Sequence, residues 1–206
     1  MRYVHSEALK RLFDVVFAFL AILILSPLMS IAAVLIAMDG GPILFRHSRI
    51  GLHGKTFNCL KFRTMILGAS DCLAEYLAYN PDERLEWEAN QKLAFDPRAT
   101  AIGKFMRRTS IDELPQLFNV LFGDMSLVGP RPVTGGELAR YGDKSALYLA
   151  VRPGITGIWQ ISGRNDVSYQ TRVEMDVRYC REHSLFGDIA ILIRTPRAVL
   201  ARTGAH

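Results

Sequence analysis

The chain has 206 residues, of which 50% are hydrophobic and 22% are charged, so it is long and apolar enough for a compact domain with a buried core, and disorder is excluded. The net charge of +5 and the isoelectric point near 9.3 indicate an anionic partner, which could be nucleic acid, a phosphorylated small molecule or an acidic membrane surface. The three cysteines are odd in number and lie far apart, which argues against a disulfide framework and for a reducing compartment.

An uncharged apolar run extends from Val15 to Met38, and its 24 residues exceed the roughly 20 needed to cross a bilayer core. A cleaved signal peptide would have a shorter apolar region, of roughly 7 to 15 residues. Pro27 removes one helical hydrogen bond near the middle of the run, and the Ser26 hydroxyl can satisfy the carbonyl that is freed. We therefore predict a membrane segment that bends at Ser26 and Pro27.

Basic residues flank this run on both sides. Those before it are Lys10 and Arg11, and those after it are Arg46, Arg49, Lys55, Lys61 and Arg63. A single span usually has asymmetric positive charge, so the flanks favour a re-entrant segment that returns to its side of entry. A kinked helix that crosses fully is the alternative. We predict that residues 1–40 form the anchor and residues 41–206 a domain on the cytoplasmic side.

Two short strands, over residues 42–46 and 55–64, are predicted to form a hairpin around a glycine-flanked turn at residues 51–54. Alternation in the second strand places Phe57, Cys59, Lys61 and Arg63 on one face. Lys61 and Arg63 would then point in the same direction, either into a site or simply into solvent.

Two helical regions follow the hairpin. The polar stretch at residues 70–92 is predicted to be helical and to break at Pro81, and a second helix is predicted over residues 100–108. The second helix ends with Arg107 and Arg108, just before a pair of acidic residues. These arginines could bind a phosphate that faces the acidic pair, or merely interact favourably with the helix dipole.

The stretch from Ser110 to Gly123 joins the adjacent carboxylates Asp112 and Glu113 to an amphipathic helix. Pro115 is tolerated only in a first helical turn, so the helix is predicted to begin near Ser110 or Asp112 and to end at Gly123. Both carboxylates would lie at its positive end, where one could act as a nucleophile or a magnesium ligand beside a phosphate. An ordinary capping box of Ser110 and Glu113 is the alternative.

Loops rich in proline and glycine dominate the rest of the chain. A strand over residues 124–128 leads into Gly129-Pro130-Arg131-Pro132, a second stiff turn covers residues 151–157, and a strand over 158–161 leads into a loop with Arg164. Helices are predicted over residues 169–183 and 188–200. The last helix is basic and amphipathic, which suits either a membrane surface or ordinary packing on the domain.

Several of these segments together resemble the bacterial sugar transferases, the monotopic phosphoglycosyl transferases. The matching motifs are Lys10-Arg11-Leu12-Phe13-Asp14, Ser26-Pro27, Lys61-Phe62-Arg63-Thr64-Met65, Ser110-Ile111-Asp112-Glu113-Leu114-Pro115-Gln116, Gly123-Asp124-Met125-Ser126-Leu127-Val128-Gly129-Pro130-Arg131-Pro132, Arg152-Pro153-Gly154-Ile155-Thr156-Gly157 and Ser162-Gly163-Arg164. The resemblance extends from about Lys10 to the last helix. It is closest to stand-alone catalytic units that lack an additional N-terminal membrane bundle.

The resemblance implies an enzyme of the bacterial inner membrane that transfers a sugar 1-phosphate from a UDP-sugar to undecaprenyl phosphate and releases UMP. It implies magnesium, held by Asp112 and Glu113, and a covalent phosphosugar intermediate on Asp112. Lys61, Arg63, Arg107, Arg131 and Arg164, with Pro130 and Pro132, would bind the substrates. The run after Pro132 is most similar to members that begin exopolysaccharide synthesis with galactose or glucose 1-phosphate.

The implied fold is α+β and helix-dominated, with a few short strands, a re-entrant N-terminal helix interrupted at Ser26 and Pro27, and interfacial amphipathic helices. A homodimer is left open. A catalytically inactive, membrane-anchored scaffold of a glycan-assembly system is the alternative function. A nucleic-acid-binding protein would show a basic stripe with stacking aromatic residues and would have no need of the apolar run, so no nucleic-acid partner is expected.

Overall fold

A computed structural model describes residues 7–90, 93, 95–162 and 167–200. The helices in these ranges are α1 Glu7–Met38, α2 Ala69–Tyr79, α3 Pro81–Asn90, α4 Ala101–Thr109, α5 Gln116–Phe122, α6 Gly135–Ala139, α7 Ser145–Leu149, α8 Tyr169–Glu182 and α9 Leu185–Leu200. The strands are β1 Leu44–Ile50, β2 Thr56–Phe62, β3 Ser126–Val128 and β4 Gly154–Thr156. The predicted α+β, helix-dominated class is confirmed.

The first two strands form the predicted antiparallel hairpin. The register pairs Phe45 with Lys61, His47 with Cys59 and Arg49 with Phe57. Residues directly opposite each other in an antiparallel pair point to the same face, so these six side chains share one surface of the hairpin. Lys61 is therefore flanked along this surface by residues of β1.

The second sheet is a parallel pair, β3 and β4, and one predicted strand in its neighbourhood is wrong. Residues 159–161 form a 3-10 helix, in which Ser162 N donates to Trp159 O; Ile161 N donates to Gly157 O in an overlapping α-type turn. Strand β4 lies instead at Gly154–Thr156, inside the segment that was predicted to be a stiff turn.

Helix α1 continues through Pro27 without interruption, and its 32 residues make it about 48 Å long. The Ser26 hydroxyl donates to the Leu23 carbonyl at 2.9 Å, which is the carbonyl that Pro27 leaves without its helical donor. This predicted role of Ser26 is confirmed. The predicted break between two helices is absent, because α1 is helical throughout. The division into residues 1–40 and 41–206 stays a prediction.

One face of α1 packs on the remainder of the protein along most of its length. The buried positions are Asp14, Ala18, Met29, Ala32 and Ile36, and the opposite face exposes large apolar side chains such as Ile24, Ile31 and Val34. The helix is long and apolar enough to cross a membrane, and only 17% of its most apolar 18-residue stretch is buried in the protein. An exposed apolar face of this size requires lipid or a partner to cover it.

Both ends of α1 are fixed to the same body. Near its start, Arg11 donates to the carbonyls of Val120 and Leu121 at 2.6 and 3.0 Å, and Lys10 forms an ion pair with Asp188 of α9 at 2.7 Å. Near its end, the Ile36 carbonyl accepts a hydrogen bond from Arg63 at 3.1 Å. These contacts hold α1 across the domain as one layer of the fold.

The core on which the site rests has two parts along α1. One joins Ala18 to apolar residues of α5, β3, α8 and α9. The other joins Met29, Ala32 and Ile36 to Phe62 of β2 and Met106 of α4, and Ile111 and Leu114 pack against it. The acidic pair between Ile111 and Leu114 is thus seated directly over the second cluster.

Candidate active site

The two adjacent carboxylates lie in a single turn of 3-10 helix between α4 and α5. Helix α4 ends at Thr109, its C-cap Ser110 has a left-handed φ of 58°, and the turn comprises Ile111–Glu113. The predicted helix is confirmed at its apolar face and at its Gly123 stop, where φ is 94°, but it begins only at Gln116. The carboxylates therefore precede the helix instead of forming its first turn.

The capping-box alternative for Ser110 and Glu113 is wrong. The Ser110 side chain makes no capping hydrogen bond, because the residue serves as the C-cap of α4 in a left-handed conformation. Glu113 instead accepts a hydrogen bond from Lys61 Nζ at 2.6 Å. The acidic pair is thereby tied to strand β2, and a capping box is found elsewhere, at Thr134 and Glu137.

Asp112 is only 8% exposed, whereas the Glu113 side chain is about one third exposed. Burial raises the pKa of Asp112 to about 6, and the neighbouring negative charge of Glu113 acts in the same direction. Lys61 and Arg107 oppose this rise. Asp112 is consequently ionised at neutral pH but more basic than an ordinary aspartate, which suits a nucleophile.

Arg107 reaches the site from the last turn of α4. Its Nε donates to Thr64 Oγ1 at 2.9 Å, and Nη1 lies 3.7 Å from Asp96 Oδ2. Helix α4 approaches the chain after β2 so closely that a Cβ on Gly103 would lie 2.1 Å from the Thr64 carbonyl oxygen. The glycine therefore permits the contact that positions Arg107, whose positive charge lowers the pKa of Asp112.

Arg63 and Lys61 have different partners. Strand β2 ends at Phe62, although the Arg63 backbone N–H still donates to Ile43 O at 2.9 Å, and the buried Arg63 guanidinium donates to the Ile36 carbonyl at the end of α1. That the two side chains point in the same direction stays a prediction. In this structure the Arg63 guanidinium helps to cap the C-terminal end of α1.

The Gly129-Pro130-Arg131-Pro132 loop forms a second wall of the site region. Pro130 is fully buried, and its carbonyl accepts from Gly154 N at 2.8 Å. The Arg131 guanidinium lies 5.7 Å from the centroid of the Trp159 ring. Pro132 is buried beside it. The predicted rigidity of this loop thus comes from both proline rings and from pairing with β4. Arg164, the other arginine predicted to lie in a loop of the site, is outside the described residues.

The backbone of Arg131 is held by Asp176 of α8. This carboxylate accepts from the Tyr141 hydroxyl at 2.8 Å and from the Arg131 backbone N–H. Burial raises the pKa of Asp176 to about 7, and the two donors partly offset the rise. A buried carboxylate thus anchors the loop that carries Arg131.

Sequence reasoning missed Arg49 and Glu137. Arg49 Nη1 lies 2.7 Å from Glu137 Oε2, which joins the hairpin to α6 just after the Arg131 loop. His47 Nδ1 lies 3.3 Å from Arg49 Nη2. The signal was available, because alternation in β1 places His47 and Arg49 on the same hairpin face as Lys61.

The site combines a buried carboxylate, an adjacent carboxylate and several cations from different elements. In the described ranges no group of three or more His, Cys, Asp or Glu side chains could hold a metal by itself. Magnesium needs only one or two carboxylates when substrate phosphates complete its shell, so Asp112 and Glu113 fit such an ion. Fold and site together describe a protein with one helix long and apolar enough to cross a membrane, and with a carboxylate pair among cations, an arrangement that suits an anionic phosphate compound.

Comparison with known proteins identifies the family of this protein. The model of the bacterial sugar transferases matches residues 5–202, and the chain belongs to that family. It is 53% identical over 201 residues to the undecaprenyl-phosphate galactose phosphotransferase of Salmonella typhimurium, covering 98% of this chain and 42% of that protein. It is 48% identical over 198 residues to the exopolysaccharide production protein ExoY of Rhizobium meliloti, covering 96% of this chain and 88% of that protein.

A third relative is named for a different sugar, glucose. The undecaprenyl-phosphate glucose phosphotransferase of Komagataeibacter xylinus is 42% identical over 202 residues, covering 90% of this chain and 35% of that protein. The chain thus spans about two fifths of the length of the Salmonella relative and most of the length of the Rhizobium relative.

Proposed function

We propose that this protein transfers a sugar 1-phosphate from a UDP-sugar to undecaprenyl phosphate through a covalent intermediate on Asp112, with release of UMP. The observation that carries the proposal is the buried Asp112 carboxylate: burial and the charge of Glu113 raise its pKa to about 6, and Lys61 and Arg107 oppose that rise. The names of the relatives support the acceptor.

The reaction consists of two displacements at one phosphorus atom. A carboxylate oxygen of Asp112 attacks the phosphorus that carries the sugar, and the bond from that phosphorus to the bridging oxygen breaks, so that UMP leaves. An oxygen of the acceptor phosphate then attacks the same phosphorus, and its bond to Asp112 breaks. The products are a polyprenyl diphosphate sugar and the free carboxylate.

The cations lower the barrier because an anionic carboxylate must approach an anionic diphosphate. Lys61 and Arg107 reduce that repulsion and stabilise the charge that develops on the phosphoryl oxygens. Asp112 and Glu113 would hold magnesium, which supplies further neutralisation of phosphate charge when bound. Arg131, held over Trp159 and anchored by Asp176, would bind the nucleotide part of the donor.

We further infer a monotopic attachment to the cytoplasmic face of the inner membrane. Contacts from Lys10 to Ile36 join both ends of α1 to one domain, which supports ends on the same side of the bilayer. Exposed Phe186 and Ile193 of α9 would extend the lipid-facing surface. Such an attachment keeps the site at the interface, where the phosphate of a polyprenol lies.

For the donor sugar we propose galactose or glucose, and for the pathway the first step of exopolysaccharide or related glycan synthesis, as the names of the relatives suggest. The test is UMP release by the purified full chain in nanodiscs with magnesium and undecaprenyl phosphate, over a panel of UDP-sugars. We expect release with one donor and its loss with Asp112→Ala or EDTA. The mass of the same preparation distinguishes a monomer from a homodimer.

Two results would contradict this proposal. Substantial turnover by Asp112→Asn would remove Asp112 as the nucleophile. Absence of UMP release with every donor, from a protein whose thermal unfolding is cooperative, would favour the inactive scaffold. A labelled phosphosugar trapped on the wild-type protein and absent from Asp112→Asn would identify the intermediate directly.

A further inference from the structure

His47 occupies the hairpin face between the two ion pairs that enclose the site. Lys61, which binds Glu113, stands opposite Phe45 in the β1–β2 register, and Arg49, which binds Glu137, stands two residues beyond His47. Diagonal neighbours on one sheet face are roughly 7–8 Å apart, within reach of long side chains. His47 therefore lies in a row of basic groups that leads from Asp112 toward the Arg131 loop.

The contact with Arg49 fixes the tautomer of this imidazole. A guanidinium has only donors, so at 3.3 Å from Arg49 Nη2 the His47 Nδ1 atom must be the acceptor. A neutral imidazole that accepts at Nδ1 carries its proton at Nε2. In the described ranges no protein group accepts a hydrogen bond from that Nε2–H, and the ring is only half-buried.

Several charges reinforce the neutral form. Burial lowers the pKa of His47, and Arg49, Lys61 and Arg131 act in the same direction, while Glu137 opposes them. If Nδ1 also carried a proton, it would be a donor facing the Arg49 Nη2 donor, and the hydrogen bond between these two atoms would be lost. His47 thus offers a directed hydrogen bond without adding positive charge to a region that already holds several cations.

The position of His47 indicates which part of the donor it meets. Lys61 Nζ is bound to Glu113, next to Asp112, and Arg49 Nη1 is bound to Glu137, just after the Arg131 loop. His47 follows Lys61 and precedes Arg49 along this hairpin face, so it lies between the acidic turn and that loop. When Asp112 attacks the sugar-bearing phosphorus, the group beyond the bridging oxygen is the nucleotide phosphate.

We propose that His47 is a substrate-binding residue whose Nε2–H donates to an oxygen of the nucleotide phosphate, both in the bound UDP-sugar and in departing UMP. This inference rests on the proposed function, because it assumes that the site binds a uridine nucleotide. It assigns nucleotide recognition to the hairpin as well as to the Arg131 loop.

The test compares His47→Ala, His47→Gln and His47→Asn in the full chain in nanodiscs. The Gln amide nitrogen extends to about the position of Nε2, whereas the Asn amide reaches only that of Nδ1, so Gln should restore the donor and Asn should not. We expect Ala and Asn to raise the KM for UDP-sugar and the inhibition constant of UMP about tenfold, which is what losing one hydrogen bond amounts to. The KM for undecaprenyl phosphate should stay unchanged.

Ser48→Ala is the matched control, because Ser48 is exposed on the opposite face of β1. Calorimetric binding of UMP gives a second readout that needs no turnover and applies to any variant that folds. An equal effect of Gln and Ala, a shifted acceptor KM, or unchanged UMP affinity in Ala and Asn would overturn the role of His47. Wild-type protein that neither turns over a UDP-sugar nor binds UMP would instead overturn the proposed function itself.

Discussion

Lys61 Nζ lies 2.6 Å from Glu113 Oε1, so strand β2 and the acidic turn are joined by an ion pair right beside Asp112. Both partners act on the neighbouring carboxylate, Lys61 lowering the pKa of Asp112 and Glu113 raising it. Asp112, the candidate nucleophile, is thus acted on by two opposing charges. Changing either Lys61 or Glu113 should shift the pKa of Asp112 in a known direction.

Lys61→Met should shift the acid limb of the pH profile of kcat/KM to higher pH, because a charge that favours the ionised form of Asp112 is lost. At pH 7 we expect activity to fall by roughly 10²- to 10³-fold, since Lys61 would also stabilise phosphoryl charge. Initial rates of UMP release between pH 5 and 8 test this. Lys55→Met, at an exposed position of the same hairpin, should leave both rate and profile unchanged.

Glu113→Gln should shift the same limb to lower pH, because the repulsion that raises the pKa of Asp112 is removed and Lys61 loses its competing partner. Overall activity should still fall if Glu113 helps to hold magnesium. The profile is measured at several magnesium concentrations. A limb that stays near pH 6 in this variant would show that Glu113 does not act on Asp112.

Asp112→Asn should abolish transfer yet stabilise the fold at neutral pH. Burial raises the pKa of Asp112 from its usual 3.8 to about 6, so ionising this carboxyl costs the folded state stability. For a raised carboxyl pKa, the contribution to stability is fully present below about pH 4, is lost as the pH rises from about 4 to 6, and stays absent above that range. Thermal unfolding of both proteins at pH 5 and 7.5 should show the larger difference at pH 7.5.

Gly154→Ala should prevent stable folding. A Cβ at this position would lie 2.0 Å from Gly129 N and 2.6 Å from the Val128 carbonyl carbon, and backbone atoms cannot yield as a side chain can. We expect a loss of more than about 3 kcal/mol in the free energy of unfolding. Gly136→Ala is the control: a Cβ there meets nothing within 4 Å, and alanine favours helix α6, so stability should rise slightly. Chemical denaturation measures both.

Arg11→Ala should weaken the attachment of α1 to the domain, because the carbonyls of Val120 and Leu121 would lose their donor at the end of α5. We expect a loss of about 1–3 kcal/mol in the free energy of unfolding. Arg84→Ala breaks only an exposed ion pair with Glu88 and should cost less than about 1 kcal/mol. Equal effects of the two substitutions would show that the Arg11 contact is unimportant.

Local patterns predicted those parts of the fold that depend on near neighbours. Alternation gave the β1–β2 hairpin, helical spacing gave α4, α5, α8 and α9, and Pro81 marked the boundary between α2 and α3. The role of Ser26 followed from the chemistry of Pro27 alone. Each of these signals involves residues within about four positions of each other.

The failures came from contacts that are distant in sequence or from competing turn geometry. The sequence did not reveal that Arg63 binds the Ile36 carbonyl, which is 27 positions away. The strand over residues 158–161 was displaced by local 3-10 hydrogen bonds, while Gly154, which composition marks as a turn residue, is required by the close crossing with Gly129. The motif of the acidic pair located the site, but its geometry depends on the left-handed Ser110.

The ion pair between Lys10 and Asp188 spans 178 positions, and this separation has a consequence for biosynthesis. At roughly 5–20 residues per second, the ribosome completes α1 at Met38 about 8 to 30 seconds before it reaches Asp188, the partner of Lys10. During that interval Asp14 also lacks its Leu127 donor, so the nascent helix α1 carries incomplete polar contacts. The polar contacts of α1 are therefore complete only after the last helix has been translated.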